Sequence, residues 1–456
     1  MMHRKSPLLL QVSAALAALV TTLHGDAPIA SHRYLADPAS LVVGDRVYLY
    51  CSNDDESPVG GGYNIPDVVC VSSTDLKNWT DHGSVFHAAR HTSWAKKSWA
   101  PGAIERDGKF FLYFGNGGGN IGVVVADSPA GPFRDVLGKP LIEHSTPGVQ
   151  PATNMWLFDP GVFIDDDGQA YLYFGGNGED NVRVVRLKRD MVTLDGEVKH
   201  MKAPHFFEAS WVIKRKGIYY FCYSSNPKAG IRIEYMSSDR PDAGFSYRGI
   251  VADQPPLNHG DNNHAAEFLF KDRWYHAYHN RVVATEAGIP TSFRRNLGLE
   301  ELHFNDDGSI RKVSYTTSGV ERLGTLNPYA PVEAETFAAQ KGVETEPCAD
   351  GGMNLCDLQQ GDWVKLVGVD FGTTGARTFR ARIARGAGAG AIELRLGSHE
   401  GTLLGTCQVG AAPEGATQSW VEVSCQVEGA RGLQDLCLRF TGAGAQLFKV
   451  DRWSFE

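Results

Sequence analysis

The sequence predicts an all-β chain, a five-bladed β-propeller followed by a β-sandwich of the jelly-roll kind. Three observations lead there. A turn followed by alternating aromatic and aliphatic positions occurs five times: DRVYLY from Asp45, GKFFLY from Gly108, GQAYLY from Gly168, GIYYFC from Gly217 and DRWYHA from Asp272. The copies start 63, 60, 49 and 55 residues apart, which leaves room for several strands per unit and suggests propeller blades. Beyond Pro331 the text changes to short segments of alternating polarity with Gly-rich turns, the pattern of a sandwich.

At 456 residues the chain is too long for one ordinary core. The expected organisation is a propeller over residues 30–325, the linker TLNPYAP from Thr325 to Pro331, and a sandwich over residues 332–456. A hydrophobic content of 42% and a charged content of 21% are those of a soluble globular protein. The net charge of -9 argues against a nucleic-acid partner and offers no basic field to an anionic membrane. Residues 1–25 read as a signal peptide: His3, Arg4 and Lys5, then an apolar stretch from Leu8 to Val20 too short to span a bilayer comfortably. A secreted or periplasmic protein is expected. Eight cysteines follow, and local spacing favours a Cys348–Cys356 pair while leaving other pairings open.

The repeat is clearest from Asn154 to Gly176, where Asp159 interrupts an apolar run, Pro160 follows, and two predicted strands flank the turn Asp165 to Gly168. A charge among Trp156, Leu157, Phe158 and Phe163 needs a partner or a task. Innermost strands of a propeller start near its axis, so the residue eight or nine positions before each turn should face one cavity. Those residues are Asp37, Trp99, Asp159, Glu208 and His264. A lone Asp-Pro is more often a cap or an Asx turn. Three carboxylates at one register are a stronger signal, because like charges sharing a cavity separate in pKa and divide into acid and base roles. One protonated and one ionised carboxylate facing a bond is the requirement of glycoside hydrolysis. Trp99, Trp156, Phe206, Phe207 and Trp211 are the aromatic candidates for contact with a sugar ring.

Together, Asp37 in LADPASLV, Trp99 in SWAPGAIERDGKFFLY, Asp159 in FDPGVFIDDDGQAYLYFGG and Glu208 in FEASWVIKRKGIYY resemble the motifs of family-43 glycoside hydrolases, over about Tyr34 to Leu323. The resemblance implies a five-bladed propeller and an inverting mechanism, with Asp37 as general base, Glu208 as general acid, and Asp159 orienting the acid and raising its pKa. Inversion implies acid and base carboxyls roughly 6.5 to 9.5 Å apart. Apolar neighbours and Asp159 should keep Glu208 protonated, while the polar stretch before Asp37 lets it ionise. Substrate contacts are expected from Trp99, Trp156, Phe207, His264 and Arg295. Arg295 in SFRRNLGLEEL matches an Arg the family places near the sugar or the acid, with Arg294 beside it as a rival. His279 in WYHAYHNR matches a His that the family directs at a channel metal or water, calcium being the implied ion; a hydrogen-bonded core His is the other reading.

In the second domain, EAE from Glu333 to Glu335, GDWV and the closing VDRWSFE resemble a family-6 carbohydrate-binding module. That family implies a structural calcium on Glu333, Glu335 and Asp451, with oxygen ligands. Thr417 and Lys449 stand where the family's sugar cleft has a Trp and an Asn, so this module is expected to be structural. The resulting expectation is a monomeric, exo-acting, inverting glycosidase of plant cell-wall polysaccharide, which releases α-L-arabinofuranosyl units from arabinoxylan or arabino-oligosaccharides and needs no metal for the chemistry. The alternatives are a β-xylosidase, a bifunctional enzyme, and a non-catalytic carbohydrate-binding propeller. SSTDLKNWTDHG resembles a sialidase Asp-box, but it occurs once.

Overall fold

The computed structural model describes residues 28–58, 61–258, 262–289, 293–413, 420–444 and 446–456. The targeting segment and Thr417 lie outside them. Five antiparallel sheets follow one another, each with its strands in chain order. The first sheet is built from Leu35–Val43, Arg46–Asn53, Asp67–Ser73 and Trp79–His87. The inner strands of the next four are Trp99–Arg106, Gly161–Ile164, Phe206–Arg215 and Ala265–Phe270. Each inner strand touches the next, and the fifth returns to the first, so the blades form a ring. The five repeated motifs are the second strands of the five blades, and their aromatic and aliphatic alternation packs one blade on its neighbour.

The inner hairpins of blades one, two and four turn in two residues through Gly44, Gly108 and Gly217 at φ 61°, 73° and 80°, as such hairpins require, and Gly168 at 84° closes the longer turn from Asp165 to Gln169 in blade three. The fifth blade uses Lys271 and Asp272 at 47° and 63° instead. Near the axis the strands approach closely. A Cβ on Gly102 would lie 2.0 Å from the Pro160 carbonyl oxygen, and one on Gly161 would lie 2.0 Å from that of Ser210. Glycine is therefore required where blade two meets blade three and where blade three meets blade four.

The second domain has two facing sheets. One runs Glu344–Pro347, Met353–Cys356, Phe448–Phe455, Thr378–Arg385, Trp420–Gln426, and the other Ala339–Lys341, Trp363–Asp370, Leu433–Gly442, Gly390–Leu396, Leu403–Val409. Phe379, Ile392, Leu438, Phe440 and Trp453 fill the space between them. The two domains share a sheet, because Thr336–Phe337 of the sandwich adds a strand to the outer edge of the first blade at Trp79 and Thr80. Asn78 of the propeller also exchanges two hydrogen bonds with the backbone of Val367. The expected linker is packed rather than slack: Leu326 bridges to Val369, and the Tyr329 hydroxyl donates to the Phe371 carbonyl.

All eight cysteines are free thiols. The expected Cys348–Cys356 pair is not formed, because the hairpin register sets Glu344 opposite Cys356 and Pro347 opposite Met353, separating the two cysteines along its length. The thiols that do meet are Cys407 and Cys425, on adjacent edge strands of the two sandwich sheets.

Candidate active site

The mouth of the ring is built on four left-handed residues, one at the start of each of the first four inner strands: Asp37 at φ 50°, Ala100 at 38°, Asp159 at 50° and Ala209 at 61°. Asp tolerates this conformation better than most residues, but the cost remains real and is borne where the surroundings over-determine it. A register shift follows in blades one, two and four. The structure corrects the single register expected from sequence. Asp37 and Asp159 occupy the left-handed position itself, whereas Trp99 and Glu208 precede it by one. The kink turns residues from both positions toward the axis, so all four line one cavity of about 430 Å³ together with His264 and Arg295.

Asp37 is buried and faces the Arg295 guanidinium and two imidazoles. The Arg295 guanidinium donates through Nη1 to Oδ1 at 2.6 Å, and His279 Nδ1 lies 3.3 Å from the same oxygen. Burial opposes ionisation, yet Arg295, His279 and His264 together hold the Asp37 carboxyl well below the usual carboxylate range. Asp159 and Glu208 are different. Burial pushes both carboxyls well above the ordinary range, with Asp37 repelling Asp159 and with Asp159 and Asp37 repelling Glu208, so the pair holds a proton near neutral pH. The proton belongs on Glu208, because the Ala209 N–H donates to Asp159 Oδ2 at 2.9 Å and stabilises its anion. His264 stands between the two aspartates, with Nδ1 3.7 Å from Asp37 and 3.8 Å from Asp159, and burial lowers its pKa to about 4, leaving it neutral.

Aromatic rings form the cavity wall. Trp156 packs edge-on against Phe158 and Phe207, with ring centroids 5.2 and 5.7 Å away, and at 38% exposure it presents a free face at the rim. Trp99 lies under the Lys97 ammonium, 4.7 Å from the ring. Phe206 and Trp211, expected at the sugar, are core residues instead: Phe206 packs on Phe221 and Tyr223, and the Trp211 indole donates to the Glu267 carbonyl. Neither lines the cavity, which Phe207 and Glu208 do, because register shifts on either side of Glu208 break the strand alternation there.

Sequence reading did not single out Asp54, Tyr63, Asn262 or Phe293, although it looked to the loop residues around Asn53 to Pro66 to select between arabinose and xylose. Asp54 grips Arg295 through Nε at 2.7 Å and Nη2 at 2.9 Å, and burial pushes its own pKa up to about 6. Tyr63 lies 4.5 Å beneath the Arg295 guanidinium and meets Phe293 edge-on. The only signal for Asp54 was an acid pair directly after a buried strand, in CSNDDES. Arg295, rather than Arg294, enters the site; Arg294 Nε donates to the Ser57 carbonyl.

His279 is buried with Nδ1 against Asp37, and among the described residues its Nε2 has no hydrogen-bond partner. Burial lowers its pKa to about 3. One imidazole nitrogen with no uncommitted carboxylate nearby does not make a calcium cage; the bare nitrogen fits water. In the sandwich, Glu335 Oε2 is buried without a partner among the described residues, and burial, with Glu333 and Asp81 adding, raises its carboxyl to about 9. Glu333 is raised by burial and by Asp451, which itself accepts from Arg382 at 2.8 Å. These oxygen donors suit calcium in kind, although Arg382 competes for Asp451. No group of three acid, His or Cys side chains among the described residues is arranged as a metal cage.

Residues 26–310 match glycosyl hydrolases family 43, and residues 333–456 match the carbohydrate binding module (family 6). The chain is 39% identical to an arabinoxylan arabinofuranohydrolase of Paenibacillus polymyxa, over 98% of this chain and 77% of that one. Its fold superposes with TM-score 0.87 and 38% identity on the crystal structure of a family 43 arabinoxylan arabinofuranohydrolase from Bacillus subtilis in complex with cellotetraose, covering 95% of this chain and 99% of that one. An α-L-arabinofuranosidase from Clostridium thermocellum is 52% identical over 64% of this chain and 98% of its own, with TM-score 0.58. With three buried carboxylates at the axis of its ring, the chain belongs to glycosyl hydrolase family 43 and carries a family 6 carbohydrate binding module at its C-terminal end.

Proposed function

We propose that the protein is an exo-acting, inverting hydrolase that releases α-L-arabinofuranosyl units from arabinoxylan or arabino-oligosaccharides. The observation that carries this reading is the opposite electrostatics of acids in one cavity: Asp37 held ionised by Arg295, and the Asp159–Glu208 pair holding a proton. Asp37 accepts a proton from water as it attacks the anomeric carbon. Glu208 gives its proton to the departing glycosidic oxygen, so that the leaving sugar departs neutral. The Asp159 anion, fixed by the Ala209 N–H, keeps that proton on Glu208 until the bond begins to break. Arg295 and His264 keep the base correctly aimed, and Trp156, Phe207 and Trp99 exclude water from the sugar faces. The likeness to arabinoxylan arabinofuranohydrolases over nearly the whole chain supports the arabinose reading over the xylose one.

The sandwich is structural in this reading, with a calcium held by Glu333, Glu335 and Asp451. Lys449 is committed to Glu346, and the Arg382 guanidinium covers Trp420 at 4.9 Å. The basic, apolar and small-residue order of residues 1–25 supports export to the periplasm or the medium, where we read the protein as a monomer. A proton NMR time course on arabinoxylan tests the whole reading: free arabinose should appear first as the anomer opposite to the substrate linkage. Release of xylose, or an initial product of retained configuration, would overturn it.

A further inference from the structure

We propose that the C-terminal sandwich braces the general-base side of the active site, and that Arg33, held by Thr345 of the sandwich, is the positioning residue that transmits the support. The proposal rests on the reading of Asp37 as base. Arg33 spreads its guanidinium over three elements. Nε donates to Asp81 of the first blade at 2.7 Å, Nη2 to the Thr345 hydroxyl at 2.9 Å, and Nη1 to Asp55 at 3.2 Å. The Thr345 hydroxyl in turn donates to Asp81 at 2.7 Å. One sandwich hydroxyl therefore closes a triangle with a buried carboxylate and a guanidinium, which fixes the plane of the fork.

The third arm of that fork reaches the active-site loop. Asp55 also accepts the Tyr34 N–H at 2.8 Å, and the Asp54 N–H donates to the Tyr34 carbonyl at 2.8 Å, so residues 54 and 55 are pinned to the segment that leads into Asp37. Asp54 then grips Arg295 with both carboxylate oxygens and its Arg295 partner donates to Asp37. A continuous path runs from Thr345 through Arg33, Asp55 and its neighbour Asp54 to Arg295 and the base. The sandwich cannot swing away from it, because Thr336–Phe337 is a strand of the first blade and the Asp81 N–H donates to the Glu335 carbonyl. Without Thr345, Nη2 loses its partner and the guanidinium is held only through Nε to Asp81 and the longer Nη1 contact to Asp55, so its plane is less firmly set toward Asp55.

The test is Thr345→Val in the full chain, assayed on an aryl α-L-arabinofuranoside. The expected result is a several-fold fall in kcat with KM within about twofold, since the substrate-binding wall is untouched. The acid limb of the pH–rate profile should move to higher pH as Arg295 loosens from Asp37, whose other facing groups are His264, His279, Asp159 and Glu208. Thr345→Ser should restore both. Arg33→Lys keeps the charge but loses the fork, and decides the matter by the same readouts if the valine variant does not fold. Unchanged kcat and acid limb in these variants, whatever their melting temperature, overturn the proposal. Asp54→Asn separates the two layers of argument: if it moves the limb and Thr345→Val does not, the brace fails and the base assignment stands. If neither moves it, the base assignment fails as well.

Discussion

Arg295 bridges two acids of unlike standing, with Nη1 2.6 Å from Asp37 Oδ1 and with Nε and Nη2 closed on Asp54. Asp37 stays an anion because of that bridge, and Asp54 keeps the guanidinium from turning away. Replacing Arg295 with Met should reduce kcat/KM by about 10²-fold or more, the scale of general-base loss. The sign of the pH effect follows from the depressed Asp37 pKa. Its anion contributes stability that is present above the unfolded carboxylate value and lost as pH falls through the lower folded one. The variant should therefore lose activity and unfold at a higher pH on the acid side, as pH–rate profiles and circular dichroism titrations will show.

The two catalytic carboxyls should be separable by leaving group. Glu208→Ala is expected to abolish hydrolysis of natural substrates, a loss of about 10³-fold or more, yet to spare aryl glycosides whose leaving groups need no proton. Asp37→Ala should impair the two substrate types alike. Parallel kinetics on arabinoxylan and a nitrophenyl glycoside will check this, and equal losses for Glu208→Ala would count against its role as acid.

Arabinose and xylose share the carboxylate set, so selection falls to the wall around Tyr63, Phe293 and Asn262. Hydrolysis of an aryl α-L-arabinofuranoside should exceed that of the matching aryl β-xyloside by at least tenfold in kcat/KM. A ratio near one would make the enzyme bifunctional.

The Glu335 carboxyl should make the sandwich lose stability as pH rises from the ordinary carboxylate range toward about 9. Its folded pKa of about 9 lies above the unfolded value, so the folded state binds the extra proton and stability falls as pH rises between the two. The slope is at most about 1.4 kcal/mol per pH unit for one proton. In chelator the melting temperature should decline over that window, calcium should restore it, and Glu335→Gln should flatten the dependence and abolish the calcium effect. A decline that persists in Glu335→Gln would remove this carboxyl from the explanation.

Gly161 faces the Ser210 carbonyl with no room for a side chain. Gly161→Ala should destabilise by about 1–3 kcal/mol or more, because the obstacle is backbone. Activity should fall with it, since Ser210 adjoins Ala209, whose N–H holds Asp159. Thermal melts and specific activity of the purified variant measure both effects.

Strand order, blade number and the change of domain were legible in the sequence because they are local: a turn residue and a period-two pattern announce each second strand wherever it occurs. The acids Asp37, Asp159 and Glu208 were legible for the same reason, since an apolar setting around a carboxylate is written in adjacent letters. What one strand does to the strand beside it was not. The one-residue offset between Asp37 and Glu208, the core positions of Phe206 and Trp211, the free Cys348 and Cys356, and the grip of Asp54 on Arg295 all depend on backbone kinks and on partners far away in the chain. Sequence by itself determined which chemistry the chain carries. Tertiary structure decided what holds the charges in place, Arg295 and Asp54 beside Asp37 and the Ala209 N–H beside Asp159, because burial and cations are assembled only when the ring closes.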